Sequence, residues 1–302
     1  MKTAVIIPCL NEAATIGKVV CDFRRQLPNV RIFIFDNNST DETRTNALSA
    51  GAEVIPSPRK GKGAVLRQAF REIDSEYYVI VDGDDTYPAE SVHELLNAVR
   101  RGADMAMGDR LSGGDYSREN KRPLHNFGNK LICWSIQVLF AKDIRDVLTG
   151  YRVMSRRFVK HCPILIDGFA VEAEMTIHAI ERLLSIVEIP VAYRDRPPGS
   201  FSKLDTISDG LTVLRSIVWL FKDAKPLVFF SLLALLQLLP TFLALALCIS
   251  AGSLMELWLA AAVVGFLTTT ITFATGLTLD SVVRFQREQF EIRILESIRT
   301  QL

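Results

Sequence analysis

The chain has 302 residues, with 35 Lys and Arg against 34 Asp and Glu, which is enough for one large or two modest domains. So even a balance provides no global electrostatic attraction for nucleic acid and excludes a reading built on a basic surface. The charge is unevenly spread: between Leu227 and Leu279 the sequence has Glu256 and no Lys, Arg or Asp, although 23% of the whole chain is charged.

The chain opens on a strand-like Ala4-Val5-Ile6-Ile7 after one lysine, with neither an apolar signal core nor a small-residue cleavage site. Apolar, β-branched runs predict strands at residues 3–7, 31–35, 52–55 and 77–81, alternating with helical patterns at 13–26, 40–50, 62–72 and 89–101. That alternation is a doubly wound α/β unit. Asn11-Glu12, Ser39-Thr40-Asp41-Glu42 and Pro88-Ala89-Glu90 read as helix starts, the second of them as a cap. Further strands are expected at 104–108 and 185–191, with a helix at 172–182 between them. Residues 109–122 are polar and contain Gly113-Gly114, so they read as a mobile loop. The helix expected at 127–140 is more apolar than a soluble surface helix requires, which leaves open whether it lies against lipid or in a core.

From residue 204 to 223 the apolar spacing of Ile207, Leu211, Leu214, Ile217, Val218 and Phe221 suits a helix in a membrane interface. Residues 227–250 and 257–279 each exceed the roughly 20 apolar residues that cross a bilayer, with Ala251-Gly252-Ser253 as the turn. The competing reading, a soluble hairpin, needs a large apolar partner surface that the rest of the chain does not offer. Arg215, Lys222 and Lys225 precede the first span and Arg284, Arg287, Arg293 and Arg299 follow the second, so both flanks, and with them the catalytic unit and both termini, are expected in the cytoplasm. Four segments result: a catalytic domain at 1–203, a juxtamembrane amphipathic helix at 204–225, two transmembrane helices at 226–280 and a C-terminal cytosolic helix at 281–302. Cys9, Cys21, Cys133, Cys162 and Cys248 have no Cys-x-x-Cys spacing, so neither a disulfide framework nor a zinc site is indicated. His93, His125, His161 and His178 also lack metal-ligand spacing.

The sharpest local signal is Val79-Ile80-Val81-Asp82-Gly83-Asp84-Asp85, a buried strand that ends in three carboxylates. Carboxylates so close repel one another, and a hard divalent ion with oxygen ligands removes that repulsion. In open α/β sheets ligands bind beyond the carboxyl ends of the strands, where this cluster falls. Pro8-Cys9-Leu10-Asn11-Glu12 follows the first strand, and Asp36 follows the second, placed to accept hydrogen bonds from a base or ribose.

Together these three segments have the order and spacing of the family 2 glycosyltransferases, whose fold is called GT-A. Over nearly its whole length the chain resembles the polyprenyl-phosphate glycosyltransferase group of that family, which includes dolichol-phosphate mannose synthases and bactoprenol glucosyltransferases. The resemblance implies a GT-A domain followed by an interfacial helix and a two-helix transmembrane hairpin. It makes Asp82 and Asp84 the ligands of Mg2+ or Mn2+ on a donor diphosphate. It places Pro8, Leu10, Asn11, Glu12, Asp36 and Gly83 around the nucleotide, with Lys62 of Gly61-Lys62-Gly63 a weaker candidate. Gly108-Asp109-Arg110 resembles the segment whose arginine faces the acceptor, and Arg122 and Asn126 stand where the family meets the acceptor phosphate, Asn replacing Ser.

Asp146-Val147-Leu148-Thr149-Gly150-Tyr151-Arg152 resembles the family's Asp-x-x-Ser/Thr-Gly-aromatic-Arg signature, making Asp146 a catalytic candidate and Arg152 a supporting one, although Asp146 also suits a helix cap. Arg196 to Lys203 resembles the Arg-x-x-Gly-x-Ser-Lys loop with one extra residue; as an alternative, Arg196 and Lys203 are juxtamembrane charges drawn to anionic lipid. Glu172 and Glu174 rank below Asp146, one expected to face ligand and the other solvent. Thr86, where mannose synthases carry Gln, and the extra loop residue lean toward a UDP-sugar, glucose or N-acetylhexosamine, with GDP-mannose as the second choice.

The implied reaction is an inverting transfer from a nucleotide-sugar to a polyprenyl phosphate, with membrane lipid and copies of the same chain as partners, a tetramer having family precedent. No nucleic acid is implied. A phosphate monoester with a second pKa of about 6 is already largely dianionic at neutral pH, so a general base is unnecessary. A processive polysaccharide synthase would need more spans and a Gln-x-x-Arg-Trp motif, which this chain lacks. A sugar nucleotidyltransferase would show a glycine-rich loop after the first strand. From a different class, a non-catalytic nucleotide-binding membrane scaffold is the alternative, and intact Asp82, Asp84, Asp146 and Arg152 weigh against it.

Overall fold

A computed structural model describes residues 2–112, 123–197, 208–250 and 254–299, the side chains of 123–129, 208–209, 250 and 297–299 excepted. By its internal packing the chain divides into two compact units, 1–217 and 218–302.

In the first unit the elements run β1 (Thr3–Cys9), α1 (Ile16–Gln26), β2 (Arg31–Asp36), α2 (Thr43–Ser49), β3 (Glu53–Pro56), α3 (Lys62–Glu72) and β4 (Tyr77–Ile80). A single 3-10 turn (Ala89–Ser91) leads into α4 (Val92–Arg100), then β5 (Met105–Asp109) and α5 (Pro123–Phe140). The order continues with β6 (Arg152–Ser155), α6 (Arg156–His161), α7 (Val171–Glu181), β7 (Ile186–Pro190) and α8 (Ser208–Ala224), within which the division between units falls. Among the described residues seven strands form one sheet in the order β3-β2-β1-β4-β6-β5-β7. β3, β2, β1 and β4 are parallel neighbours, and β5 and β7 are parallel. β6 runs antiparallel to both β4 and β5.

Consecutive residues Ala4 to Ile7 of β1, and Ile32 to Phe35 of β2, are buried, so both sheet faces are covered. That is why these strands read as unbroken apolar runs rather than alternating ones. On the helices the burial follows one face: α1 turns Ile16, Val19, Val20 and Phe23 inward and leaves its basic side outside. The sequence signal missed β6 and α6. β6 has four residues and opens on an arginine, but Arg152 pairs in register with Ile80 and Met107 in the middle of the sheet.

α5 answers the question left open by its composition with both of its faces. Ile132, Ile136 and Phe140, spaced four apart, are buried, while Trp134 and Val138 are each 58% exposed. At α2 the N-cap residue, Glu42, makes no side-chain cap. Asp41 instead accepts from Thr43 N (3.0 Å) and Ala13 N (3.1 Å), tying the entrances of the two helices to one carboxylate. All five cysteines are free thiols.

In the second unit α9 (Pro226–Ser250) and α10 (Met255–Arg299) pack side by side. Both are long and apolar enough to cross a membrane, and only 17% and 6% of their most apolar windows are buried, unlike a core hairpin. Small residues set the approach: a side chain at Gly265 would meet Thr241 Oγ1 at 2.3 Å, and one at Gly276 would meet Phe230 Cβ at 2.8 Å. α10 is one continuous helix of 45 residues, so the segment read as a separate C-terminal helix from residue 281 prolongs the second apolar helix.

Candidate active site

Beyond Ile80 the chain leaves the sheet through Val81 into Asp82-Gly83-Asp84-Asp85. Gly83 is required by space: a Cβ there would stand 2.8 Å from Cys9 Sγ, and its carbonyl accepts from Thr15 Oγ1 at 2.7 Å. Asp85 takes φ 59°, and its carboxylate pairs with Lys18 Nζ at 2.8 Å. Asp84 is 3% exposed. Its Oδ1 accepts from Thr86 N (3.2 Å) and Thr86 Oγ1 (2.7 Å), and its Oδ2 pairs with Arg196 at 2.5 Å.

Asp82 is held by Lys62, whose Nζ lies 2.5 Å from Asp82 Oδ1 and 2.7 Å from Glu172 Oε1. Burial alone would lower the Lys62 pKa and raise that of Asp82. Their mutual attraction, joined at Lys62 by Glu172, outweighs it, so Lys62 is held above and Asp82 below the ordinary value. On the other side of Asp82 stands Gly150, where a Cβ would be 2.1 Å from Asp82 Oδ2.

The approach of Glu172 is built by glycines. Gly61 has φ 110°, and a Cβ at Gly61 or Gly63 would collide with the carbonyls of Asp167 (2.1 Å) or Ile166 (1.9 Å). Their absence lets Gly63 N and Ala64 N donate to Asp167 O at 2.8 and 3.2 Å. The first turn of α7 therefore sets Glu172 beside Lys62. Both Glu172 and Glu174 are buried, which corrects the expectation that one faces solvent. Glu174 accepts from Leu165 N (2.9 Å) and Ile166 N (3.1 Å) and so braces this loop.

Lys62, Arg196 and Lys18 pair with Asp82, Asp84 and Asp85, so basic side chains offset the mutual repulsion of the acidic cluster. Lys62 stands on the carboxylates, and its neighbour Gly61 donates to Asn37 at the loops expected to hold a nucleoside.

Those loops lie one and two strands away. Parallel pairing sets Pro8 opposite Phe35 and Cys9 opposite Asp36, bringing the 8–12 loop and Asp36 to one sheet edge. Asn11, at φ 51°, donates its N–H to Ser39 Oγ (2.9 Å) and accepts from Thr40 N (2.8 Å), while Glu12 N donates to Thr43 Oγ1 (2.7 Å). Asp36 Oδ1 accepts from Ser39 N at 3.1 Å. Leu10 remains 37% exposed. Asn37, absent from the sequence-derived candidates, fixes the neighbouring loop: its amide donates to Ser57 O and Arg59 O and accepts from Gly61 N, all between 2.7 and 2.9 Å.

At the far end of β5, Asp146 is fully buried and grips Arg110: Nε to Oδ2 is 2.7 Å, NH2 to Oδ1 is 2.8 Å, and Arg110 N adds 3.1 Å. It caps no helix. Arg145 N and Asp146 N donate to Glu188 Oε1 at 2.9 and 3.1 Å, and the Arg110 guanidinium stands 5.6 Å from the Tyr193 ring centre. Arg152 is fully buried, donating to Thr149 O (3.1 Å), Val147 O (2.6 Å) and Thr176 Oγ1 (3.0 Å). Burial pulls its pKa down to about 10. Arg152 thus fastens the loop that presents Asp146 and Gly150. Arg122 and Lys203 lie outside the described residues, and Asn126 lies in α5 with its side chain outside them.

Among the described residues no three His, Cys, Asp or Glu side chains make a set able to hold an ion unaided. Asp82 and Asp84 offer two hard carboxylates, and the buried Glu172 Oε2 behind them has no hydrogen-bond partner among the described residues. This donor set fits an ion of the Mg2+ or Mn2+ kind that takes its remaining oxygens from a substrate diphosphate and water.

Comparison with known proteins agrees with this architecture. The family model described as glycosyl transferase family 2 matches residues 4–162. Glycosyltransferase AglJ of Haloferax volcanii is 33% identical over 227 residues, 75% of this chain and 74% of its own. A dolichyl-phosphate hexose transferase of the same organism is 30% identical over 215 residues, 71% of this chain and 92% of its own. Glucosyl-3-phosphoglycerate synthase of Mycobacterium tuberculosis, crystallised with Mn2+, UDP and phosphoglyceric acid, superposes with a TM-score of 0.58 over 74% of this chain and 78% of that one. At 20% identity this last likeness shows the GT-A fold alone. With its mixed sheet, its paired carboxylates at the end of β4 and a family match over more than half its length, the chain belongs to glycosyl transferase family 2 and is a glycosyltransferase.

Proposed function

We propose that this enzyme transfers a sugar from a nucleotide diphosphate sugar to the phosphate of a membrane polyprenol, with inversion at the anomeric carbon. The observation that carries the reading is the strand end where Asp82 and Asp84 meet Lys62 and Arg196 beside the 8–12 loop and Asp36, in a chain that continues into two apolar helices. The name of the Haloferax dolichyl-phosphate hexose transferase supports the acceptor class.

In this reading Pro8, Leu10, Asn11, Glu12 and Asp36 hold the nucleoside, and Gly83 lets the carboxylate turn pass close to β1. Asp82 and Asp84 would hold Mg2+ or Mn2+, which when bound neutralises the departing diphosphate. Lys62 and Glu172 fix the direction of Asp82, and Arg196, with Lys203, serves the diphosphate. Arg110, held by Asp146, meets the acceptor phosphate together with Arg122 and Asn126; Arg152 supports the loop of Asp146. Because the nucleophile is already ionised, these residues orient and bind rather than abstract a proton.

The polyprenol stays in lipid beside α9 and α10. α8 exposes Leu211, Val218 and Trp219, apolar groups suited to the membrane interface. The basic flanks set the catalytic unit and both ends of the hairpin on the cytoplasmic side. Copies of the chain associate through the membrane segments. UDP-glucose or a UDP-N-acetylhexosamine is the favoured donor, ahead of GDP-mannose.

The test is transfer from a panel of radiolabelled UDP- and GDP-sugars to undecaprenyl and dolichyl phosphate, using purified protein in detergent with Mn2+ or Mg2+. One labelled lipid, lost with EDTA and with Asp84→Ala, is the expected result. Nucleotide binding with no lipid product from any donor would overturn the reading.

A further inference from the structure

Four carboxylates, Asp82, Asp84, Asp146 and Glu172, and four basic groups, Lys62, Arg110, Arg152 and Arg196, converge at this end of the sheet. Four ion pairs, Lys62 with Asp82 and with Glu172, Arg196 with Asp84 and Arg110 with Asp146, and the charge of Glu172 acting on the buried Arg152, leave the cluster balanced without any ion. A divalent ion arriving alone would therefore add two uncompensated charges to a largely buried cluster, whereas an ion accompanied by a diphosphate brings its own counter-charge.

The geometry at Asp84 sharpens this. Oδ1 already accepts two hydrogen bonds from Thr86, and Oδ2 is in contact with the Arg196 guanidinium at 2.5 Å. An ion of this class needs a carboxylate oxygen at about 2.0–2.2 Å, and a guanidinium on that same oxygen would face it as a like charge at close range. Asp82 differs: its Oδ1 is anchored by Lys62, whose side chain is 11% exposed and is held by Glu172 as well. Arg196, with 28% of its side chain exposed, is the group able to leave.

We propose that Arg196 occupies the place of the divalent ion on Asp84 until a donor diphosphate arrives, so that arginine and ion exclude one another at Asp84 and the ion binds together with the diphosphate rather than ahead of it. Release from Asp84 then turns Arg196 toward the diphosphate oxygens. This rests on the reading of Asp82 and Asp84 as the metal carboxylates. It makes Arg196 a positioning residue whose loss has two opposite effects, tighter binding of the bare ion and weaker cooperation between ion and nucleotide.

The test is a titration of Mn2+, followed by electron paramagnetic resonance of the free ion, on the full chain in detergent with and without UDP. Wild type, Arg196→Gln and Arg196→Lys are compared, each checked for an unchanged thermal melt. Arg196→Gln is expected to bind Mn2+ alone about tenfold more tightly than wild type, and the factor by which UDP tightens Mn2+ is expected to fall. Arg196→Lys, which keeps the charge, should bind bare Mn2+ like wild type. If Mn2+ and UDP bind cooperatively to wild type but Arg196→Gln binds bare Mn2+ no more tightly, the exclusion is wrong and the metal site stands. If none of the three proteins binds Mn2+ even with UDP, the metal site itself is wrong and the exclusion falls with it.

Discussion

Arg110 and Asp146 form a two-pronged ion pair, 2.7 and 2.8 Å, with the carboxylate fully buried and a third bond from the Arg110 N–H. Both carboxylate oxygens are spent on one arginine, so Asp146 fixes the direction of the Arg110 side chain. Asp146→Asn keeps the shape but leaves a buried guanidinium without its counter-charge, a loss of about 3–5 kcal/mol by analogy with other broken buried pairs. Thermal unfolding in detergent should report it. In the transfer assay the variant should lose use of the lipid acceptor while Mn2+–UDP affinity stays near wild type; a selective loss of nucleotide binding would contradict this placement.

Gly150 gives a second prediction. Any Cβ would fall 2.1 Å from Asp82 Oδ2 and 2.7 Å from its Cγ, so Gly150→Ala must push the carboxylate out of line. Cooperative Mn2+–UDP binding should weaken by about tenfold or more, the scale of a misdirected ligand. A variant with unchanged metal affinity would show that Asp82 is not a ligand.

Lys62→Met should expose the acid–base logic of the Asp82–Lys62–Glu172 triad. Asp82 is depressed in the folded protein, so its stabilising contribution is present above its unfolded pKa, near 3.8, and is lost as pH falls through the lower folded value. Without Lys62, the partly exposed Asp82 and the buried Glu172 lose their shared cation, and the Asp82 carboxyl is no longer held below its ordinary value. The variant should therefore be least stable relative to wild type near pH 7, by about 3 kcal/mol or more, with the gap closing toward pH 4 as its Asp82 protonates. Melting temperatures at pH 7 and pH 4.5 test the sign; a gap that widens on acidification would be inconsistent with the triad.

The helical hairpin offers an independent test. Gly265→Ile places a branched side chain where Thr241 Oγ1 already lies 2.3 Å from the Cβ position, forcing α9 and α10 apart. The melting temperature of the purified protein should drop while UDP affinity is retained. An unchanged melt would show that this contact does not set the helix packing.

Composition and periodicity alone determined the α/β class and the apolar hairpin, because buried parallel strands and bilayer-length helices both appear as long uncharged runs. They also marked Asp82, Asp84, Asp36 and the 8–12 loop, since ligand-facing residues of such sheets fall just after the strands. What the tertiary structure decided was partnership. Glu172 lies 90 residues from Asp82 and 110 from Lys62 in sequence, and they meet because Gly61 and Gly63 admit the 166–168 loop. The short antiparallel β6 was concealed because pairing on both sides, rather than its own four residues, makes it a strand. For the same reason the sequence showed a row of repelling carboxylates where the fold shows each one matched: charge balance in a protein is set by neighbours in space, which local sequence cannot display.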